Sequence, residues 1–189
     1  LSQKAQEHYG ELVAMDRSIG TLRKGLREMG VAQNTLVWFM SDNGGLPRLD
    51  PPTTGGLRSF KGSMYEGGLR VPAIIEWPKG ISNVRVTNHP AGAVDIFPTI
   101  AEVAGLEKSD LLKPQDGMSL AKLFLKELGP RQKPLPFRSR GRVAVVDNDY
   151  KMISFPDSGK TRYELYNLAK DMSEQDNLVK KESKIANRL

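Results

Sequence analysis

Leu12, Val13, Met15, Ile19, Leu22, Leu26 and Met29 recur at three- and four-residue steps through an otherwise polar stretch from about residue 3 to 29. That spacing predicts an amphipathic helix with one buried face, stopped at Gly30. The pattern then changes. "TLVWFM" is a continuous apolar run with no alternation, the sign of a strand covered on both faces, as in a parallel sheet. Helix, short link and buried strand make an α/β unit. A second such run, "LRVPAIIEWP", predicts another buried strand ending at Pro78. "VDIFPTIAEVAGL" predicts a helix that starts near Ile96 or Phe97, where Pro98 falls in the first turn, and ends at Gly105.

Further along, "SLAKLFLKEL" predicts a short helix and the Pro-rich "GPRQKPLP" a link, which places a domain boundary at 128/129. Beyond it, "RVAVVD" and "YKMISF" predict a hairpin turning at Asp147 to Asp149, and "RYELYNL" a further strand. The tail from Ser173 to Leu189 is a charged helix or a fraying end. The organisation expected is therefore an α/β region, residues 1–128, followed by a small antiparallel sheet with a terminal helix, residues 129–189.

Between the two apolar strands, residues 44–68 are dense in Gly and Pro and long for a connection, which favours a functional loop. The strand before it ends in Asp42-Asn43-Gly44-Gly45. For an isolated Asn-Gly the bland reading is a turn. After a buried strand in an α/β sheet, however, the carboxyl end is where ligands sit, and Asp and Asn offer hard oxygen donors suited to Ca²⁺ or Mg²⁺. Adjacent side chains of an extended chain point apart, so both reach one ion only if the chain bends, which the glycines permit. In the same loop Lys61 is either an exposed surface lysine or a group that neutralises charge or protonates a leaving group. Arg58 is either a contact for a substrate anion or one basic residue among many. Glu66 and Arg70 read as a structural ion pair bracketing a turn, the glycines between them arguing against a helix. His8 and His89, with no third ligand nearby in sequence, read as solvated.

Composition adds limits. The 189 residues suffice for a real core, and the absence of cysteine removes disulfides, thiolate metal sites and a Cys nucleophile from these residues. The net charge of +6 suits anionic substrates. No zinc-finger spacing or RNA-binding motif is present, so nucleic acid is not an expected partner, and no apolar run approaches the roughly 20 residues of a membrane span. The chain opens without Met and inside a helical pattern, as a piece of a longer protein would.

The succession "DRSIGTL…NTLVWFMSDNGG…LRSFKGSMYEGGLRVPAIIEWPKG…VDIFPTIAEVAGL…DGMSL", followed by "DYKMISF…YELYNLAKDMSEQDNL", resembles the sulfatases of the alkaline-phosphatase superfamily over nearly the whole chain. The resemblance implies the C-terminal portion of an alkaline-phosphatase-like sandwich, a mostly parallel sheet with helices, plus the family's small antiparallel C-terminal module. It implies hydrolysis of sulfate monoesters by a formylglycine, made from Cys or Ser, with Ca²⁺ polarising the sulfate oxygens. Asp42 and Asn43 match the second pair of Ca²⁺ ligands, and Lys61 matches the lysine that contacts the sulfate ester. Arg58 is carried as a substrate contact. Where many members have Gly before that lysine, this chain has Phe60. The Cys/Ser-x-Pro-x-Arg motif that yields formylglycine, the early Asp pair and the family's mid-domain histidines and lysine are not among these residues. The expectation is an isolated chain that is inactive, that self-associates through uncovered core surface, and whose parent is periplasmic or secreted. Two alternatives stand beside it. A phosphodiesterase or phosphonate hydrolase of the same superfamily typically has His at the place of Asn43; the other alternative is a non-catalytic sulfatase-like binding module.

Overall fold

The computed structural model describes residues 1–189, apart from the side chain of Lys108. The chain forms two compact units, Leu1–Ser82 and Asn83–Leu189. No helix among the described residues is long and apolar enough to cross a membrane.

The first unit begins with the expected helix, α1 (Gln3–Glu28). Ser2 caps it, its hydroxyl accepting from the Ala5 N–H. At the other end Gly30 has φ +72°, the Gly30 N–H donates to the Arg27 carbonyl and the Val31 N–H to that of Leu26. This pair of bonds is a Schellman cap, and it needs the left-handed residue that glycine supplies without strain. The buried face expected of α1 is not found. Ala5 is its one buried residue, while Leu12, Val13, Met15 and Leu22 are exposed. Periodicity records which face is apolar; covering it takes a partner surface, and the first unit offers only a narrow one.

That surface is a two-stranded ribbon of β1 (Val37–Met40) and β2 (Ala73–Glu76), paired antiparallel from Val37 opposite Glu76 to Met40 opposite Ala73. Parallel pairing and burial on both faces were expected; β1 is half-buried throughout, and Ala73 and Ile74 are exposed. A ribbon of two strands lacks the width to enclose itself. Arg23 of α1 ties helix to ribbon, donating to both carboxylate oxygens of Glu76 at 2.6 and 2.9 Å. The ribbon also closes the long loop between its strands, because the Ser41 N–H donates to the Pro72 carbonyl.

In the second unit, α3 (Ile96–Val103) starts where expected and repeats the Schellman cap at Gly105, with Leu106 N–H on Ala101 and Gly105 N–H on Glu102. Only one 3-10 turn, Ala121–Phe124, forms where a short helix was expected. The hairpin strands are part of a four-stranded antiparallel meander, β3 (Leu135–Ser139), β4 (Arg142–Asp147), β5 (Tyr150–Asp157) and β6 (Lys160–Asn167), in that spatial order. β3 was not foreseen, because Pro134 and Pro136 read as link. At a sheet edge Pro136 sacrifices no ladder bond. Arg140-Gly141 and Ser158-Gly159 make two-residue turns with both φ positive, the hairpin geometry that matches strand twist. α4 (Ser183–Arg188) ends the chain. Ala144, Ile153 and Leu165 are fully buried, and so is the ion pair of Lys151 with Glu174, 2.9 Å apart. Both sheets among the described residues are thus antiparallel. The α/β class with a separate antiparallel C-terminal sheet is present, and no parallel strand pair occurs among the described residues.

The base of α3 carries a buried polar cluster. The carboxylate of Asp95 accepts from both terminal nitrogens of Arg131 at 2.8 Å, from Gly92 N–H at 2.9 Å and from Met118 N–H at 2.8 Å. The side chains of Asp95 and Arg131 are wholly buried. Arg131 further donates to the Pro90 and Lys133 carbonyls, and its own N–H donates to Asn148 Oδ1 in the β4–β5 turn. The "GPRQKPLP" segment is therefore clamped between α3 and the sheet of its unit.

Candidate functional site

β1 delivers Ser41-Asp42-Asn43-Gly44-Gly45 to the start of the long loop. The Ser41 hydroxyl donates to the Asn43 carbonyl at 2.9 Å, which bends the chain at Asp42. Next, Gly44 N–H donates to the Gly68 carbonyl at 3.0 Å, and Lys61 N–H to the Gly45 carbonyl at 2.9 Å. These two bonds lay the strand end against both ends of the Lys61 segment. The approach is so close that a Cβ at Gly44 would stand 2.0 Å from the Gly67 carbonyl oxygen. On the other side of the same turn, a Cβ at Gly67 would stand 2.3 Å from the Ser59 carbonyl oxygen and one at Gly68 2.4 Å from that of Ser63. Only glycine fits where backbone meets backbone at such distances.

Glu66–Leu69, capped by Tyr65, is a one-turn helix, α2, where the glycines argued against one. Burial of Gly67 and Gly68 against neighbouring carbonyls offsets their poor helix propensity. Glu66 is buried and accepts from Arg70 Nε at 2.6 Å, the structural ion pair expected. Gly67 N–H donates to the Arg58 carbonyl at 2.9 Å, and the Arg58 guanidinium lies 3.9 Å from the centre of the Tyr65 ring. Ser59, between Arg58 and Phe60, has φ +64°, a left-handed conformation unusual for a side-chain-bearing residue.

The structure thus brings Asp42, Asn43, Arg58 and Lys61 onto one backbone knot. Asp42 and Lys61 are exposed, Asn43 and Arg58 half-buried. The Tyr65 ring under Arg58 was missed in sequence, since an aromatic seven residues downstream of an arginine in a loop carries no periodic signal. His8 lies on α1 beside Tyr9. His89 belongs to the second unit and is not solvated as expected: its Nε2 is buried.

The donor set at Asp42 and Asn43 is of the kind a hard divalent cation takes, a carboxylate and an amide at a chain bend. It is also partial, because Ca²⁺ takes about six to eight oxygens and no group of three or more His, Cys, Asp or Glu residues able to hold a metal occurs among the described residues.

Comparison with known proteins agrees with this architecture. The sulfatase family model matches residues 2–106, and the model of the C-terminal part of N-sulphoglucosamine sulphohydrolase matches residues 58–188. The chain belongs to the sulfatase family. It is 32% identical to a sulfatase of Formosa agariphila over 92% of this chain and 35% of that protein. It is 34% identical to human arylsulfatase A over 89% of this chain and 38% of that protein. A solved sulfatase from Pseudoalteromonas superposes with a TM-score of 0.74 at 26% identity, covering 88% of this chain and 37% of that one. The phosphonate monoester hydrolase of Agrobacterium radiobacter shares the fold, with a TM-score of 0.65 at 23% identity over 95% of this chain and 38% of that one. The chain spans little more than a third of the length of these relatives.

Proposed function

We propose that the knot of Asp42, Asn43 and Lys61 is part of the active site of a sulfuric ester hydrolase that cleaves sulfate monoesters. The bond from Lys61 N–H to the Gly45 carbonyl carries the reading, since it fixes the lysine's main chain two residues beyond the paired oxygen donors. In this reading Asp42 and Asn43 supply two of the oxygens that hold Ca²⁺, and the remaining ligands come from outside these residues. The ion, when bound, withdraws charge from the sulfate oxygens. Lys61 neutralises the ester and the charge that develops on its leaving oxygen, and Arg58, its guanidinium steadied on Tyr65, adds a planar cation for the sulfate. The nucleophile is a formylglycine hydrate outside this chain. An amide oxygen at Asn43, rather than an imidazole, suits a single hard cation better than a transition-metal pair, which favours a sulfatase over a phosphonate hydrolase.

By the same reasoning the 189 residues alone are inactive, because a Cys/Ser-x-Pro-x-Arg motif is not among them. The exposed Leu12, Val13, Met15 and Leu22 of α1 favour self-association of the isolated chain, and a periplasmic or secreted parent fits the family. The test is release of sulfate from an aryl sulfate by the whole protein and its Lys61→Ala and Asp42→Ala variants. Each variant is expected to lose about 100-fold or more in kcat/KM. Full activity in both would overturn the assignment.

A further inference from the structure

In the second unit, residues 83–92 form a strap running to the base of α3, held by a small number of polar contacts. Arg85 donates to the Lys126 carbonyl at 2.9 Å, and the Thr87 hydroxyl donates to the carboxylate of Glu127. His89 N–H donates to Thr87 Oγ1, the Pro90 carbonyl accepts from Arg131, and Gly92 N–H donates to Asp95. Apolar anchoring is slight, since Val84 and Val86 are fully exposed.

One feature of the strap is out of keeping with a purely structural role. His89 Nε2 is buried and has no hydrogen-bond partner. A neutral imidazole tolerates this, its bare nitrogen being a weakly solvated acceptor. An imidazolium does not, because its second N–H would be buried without an acceptor. The two carboxylates facing the ring are already engaged, Glu127 accepting from Thr87 and Arg85. Both oxygens of Asp95 are committed to Arg131, and Arg131 is itself a buried cation facing the ring.

We propose that His89 is a proton-operated latch, whose protonation frees the 83–92 strap from the Asp95–Arg131 cluster while the cluster and the sheet stay folded.

The charged groups facing the ring are Arg131, Glu127 and Asp95. Burial is the main influence and lowers the affinity of His89 for a proton, and the positive charge of Arg131 acts the same way. Glu127, Asp95 and a hydrogen bond with the Gly129 backbone oppose them without prevailing. A histidine lowered in the folded state costs nothing above its ordinary value of about 6.5. As pH falls below that value the open or unfolded state takes the proton first, so closure weakens until the lowered folded value is reached.

The chain has two histidines, so the titration of His89 is readable by NMR in the whole chain, with His8→Gln to assign the signals. Amide hydrogen exchange of His89 and Gly92, corrected for intrinsic pH dependence, is followed between pH 8 and 5 alongside it. The expected result is a His89 midpoint below the ordinary value and a loss of protection at these two amides that tracks it. That loss should be about tenfold for each pH unit by which the midpoint is lowered. Amides of β4–β6 should keep their protection, and His89→Phe should abolish the pH response of the strap. A His89 midpoint at or above the ordinary value, or protection at Gly92 that is insensitive to it, would overturn the latch. So would a loss shared equally by β4–β6. If His89→Phe does not fold, the two wild-type curves decide the question alone.

Discussion

Two polar assemblies in this chain are built on opposite plans. At the base of α3, side chains do the binding: Asp95 and Arg131 are wholly buried, and every oxygen of the carboxylate is spent on Arg131, Gly92 or Met118. At the end of β1, main chain binds main chain, through Gly44 to Gly68, Lys61 to Gly45 and Gly67 to Arg58, and the side chains of Asp42 and Lys61 are left in solvent. A cluster that consumes its charged groups holds a fold together. One that leaves them over, on a backbone made rigid by glycine, holds them ready for something else. The ionisable residues of the first assembly are therefore structural, and those of the second are candidates for chemistry.

The contrast breaks most readily at the first assembly. Asp95→Ala strands a buried guanidinium and is expected to cost about 3–5 kcal/mol in denaturant unfolding. Pairing it with Arg131→Met should recover only part of that loss, because the Gly92 and Met118 N–H groups would still lack their acceptor. Gly44→Ala drives a methyl into the Gly67 carbonyl and should cost about 1–3 kcal/mol as overpacking does, with loss of sulfate release in the whole protein. Lys61→Ala should leave stability within about 0.5 kcal/mol, as surface substitutions do, while removing activity. A large stability loss there would erase the distinction between the two plans.

The smallest effect concerns the exposed pair of Arg23 and Glu76. The hydrogen bond from Arg23 holds the Glu76 carboxyl below its ordinary value, against the opposing pull of partial burial. A carboxylate lowered on folding stabilises above its unfolded value and loses that contribution as pH falls through the folded one. Glu76→Gln should therefore flatten a shallow acid-side slope seen at low salt, and added salt should remove the difference.

Much of this was legible beforehand, and the parts that were not share a cause. The ends of α1 and α3 follow from Gly30 and Gly105, and the β4–β5 hairpin from Asp147-Asn148-Asp149, because caps and turns are local. Whether Leu12 or Ile74 is covered depends on what lies across from it, which periodicity does not record. β3 was hidden because Pro136 breaks a central strand but not an edge one, and edge position is a property of the whole sheet. In the site, Asp42, Asn43 and Lys61 could be singled out by residue type. The bond from Lys61 to Gly45 spans a loop and had no signature, and neither had the ring of Tyr65 beneath Arg58.

The loop leaves the ribbon at Ser41, returns at Pro72, and is cross-tied at Gly44 and Gly45 before it reaches residue 46. Everything between Leu46 and Leu57 consequently lies outside a closed ring of backbone bonds, but rests on it, with Leu49 buried and Thr53 close against Gly45. Composition in that stretch is constrained where it packs, at Leu49, Thr53 and Thr54, whereas a longer excursion elsewhere in it would add only about 0.6 kcal/mol of closure cost per doubling. One loop thus holds two kinds of constraint side by side, a ring closed by main-chain bonds and an excursion braced on that ring by its side chains.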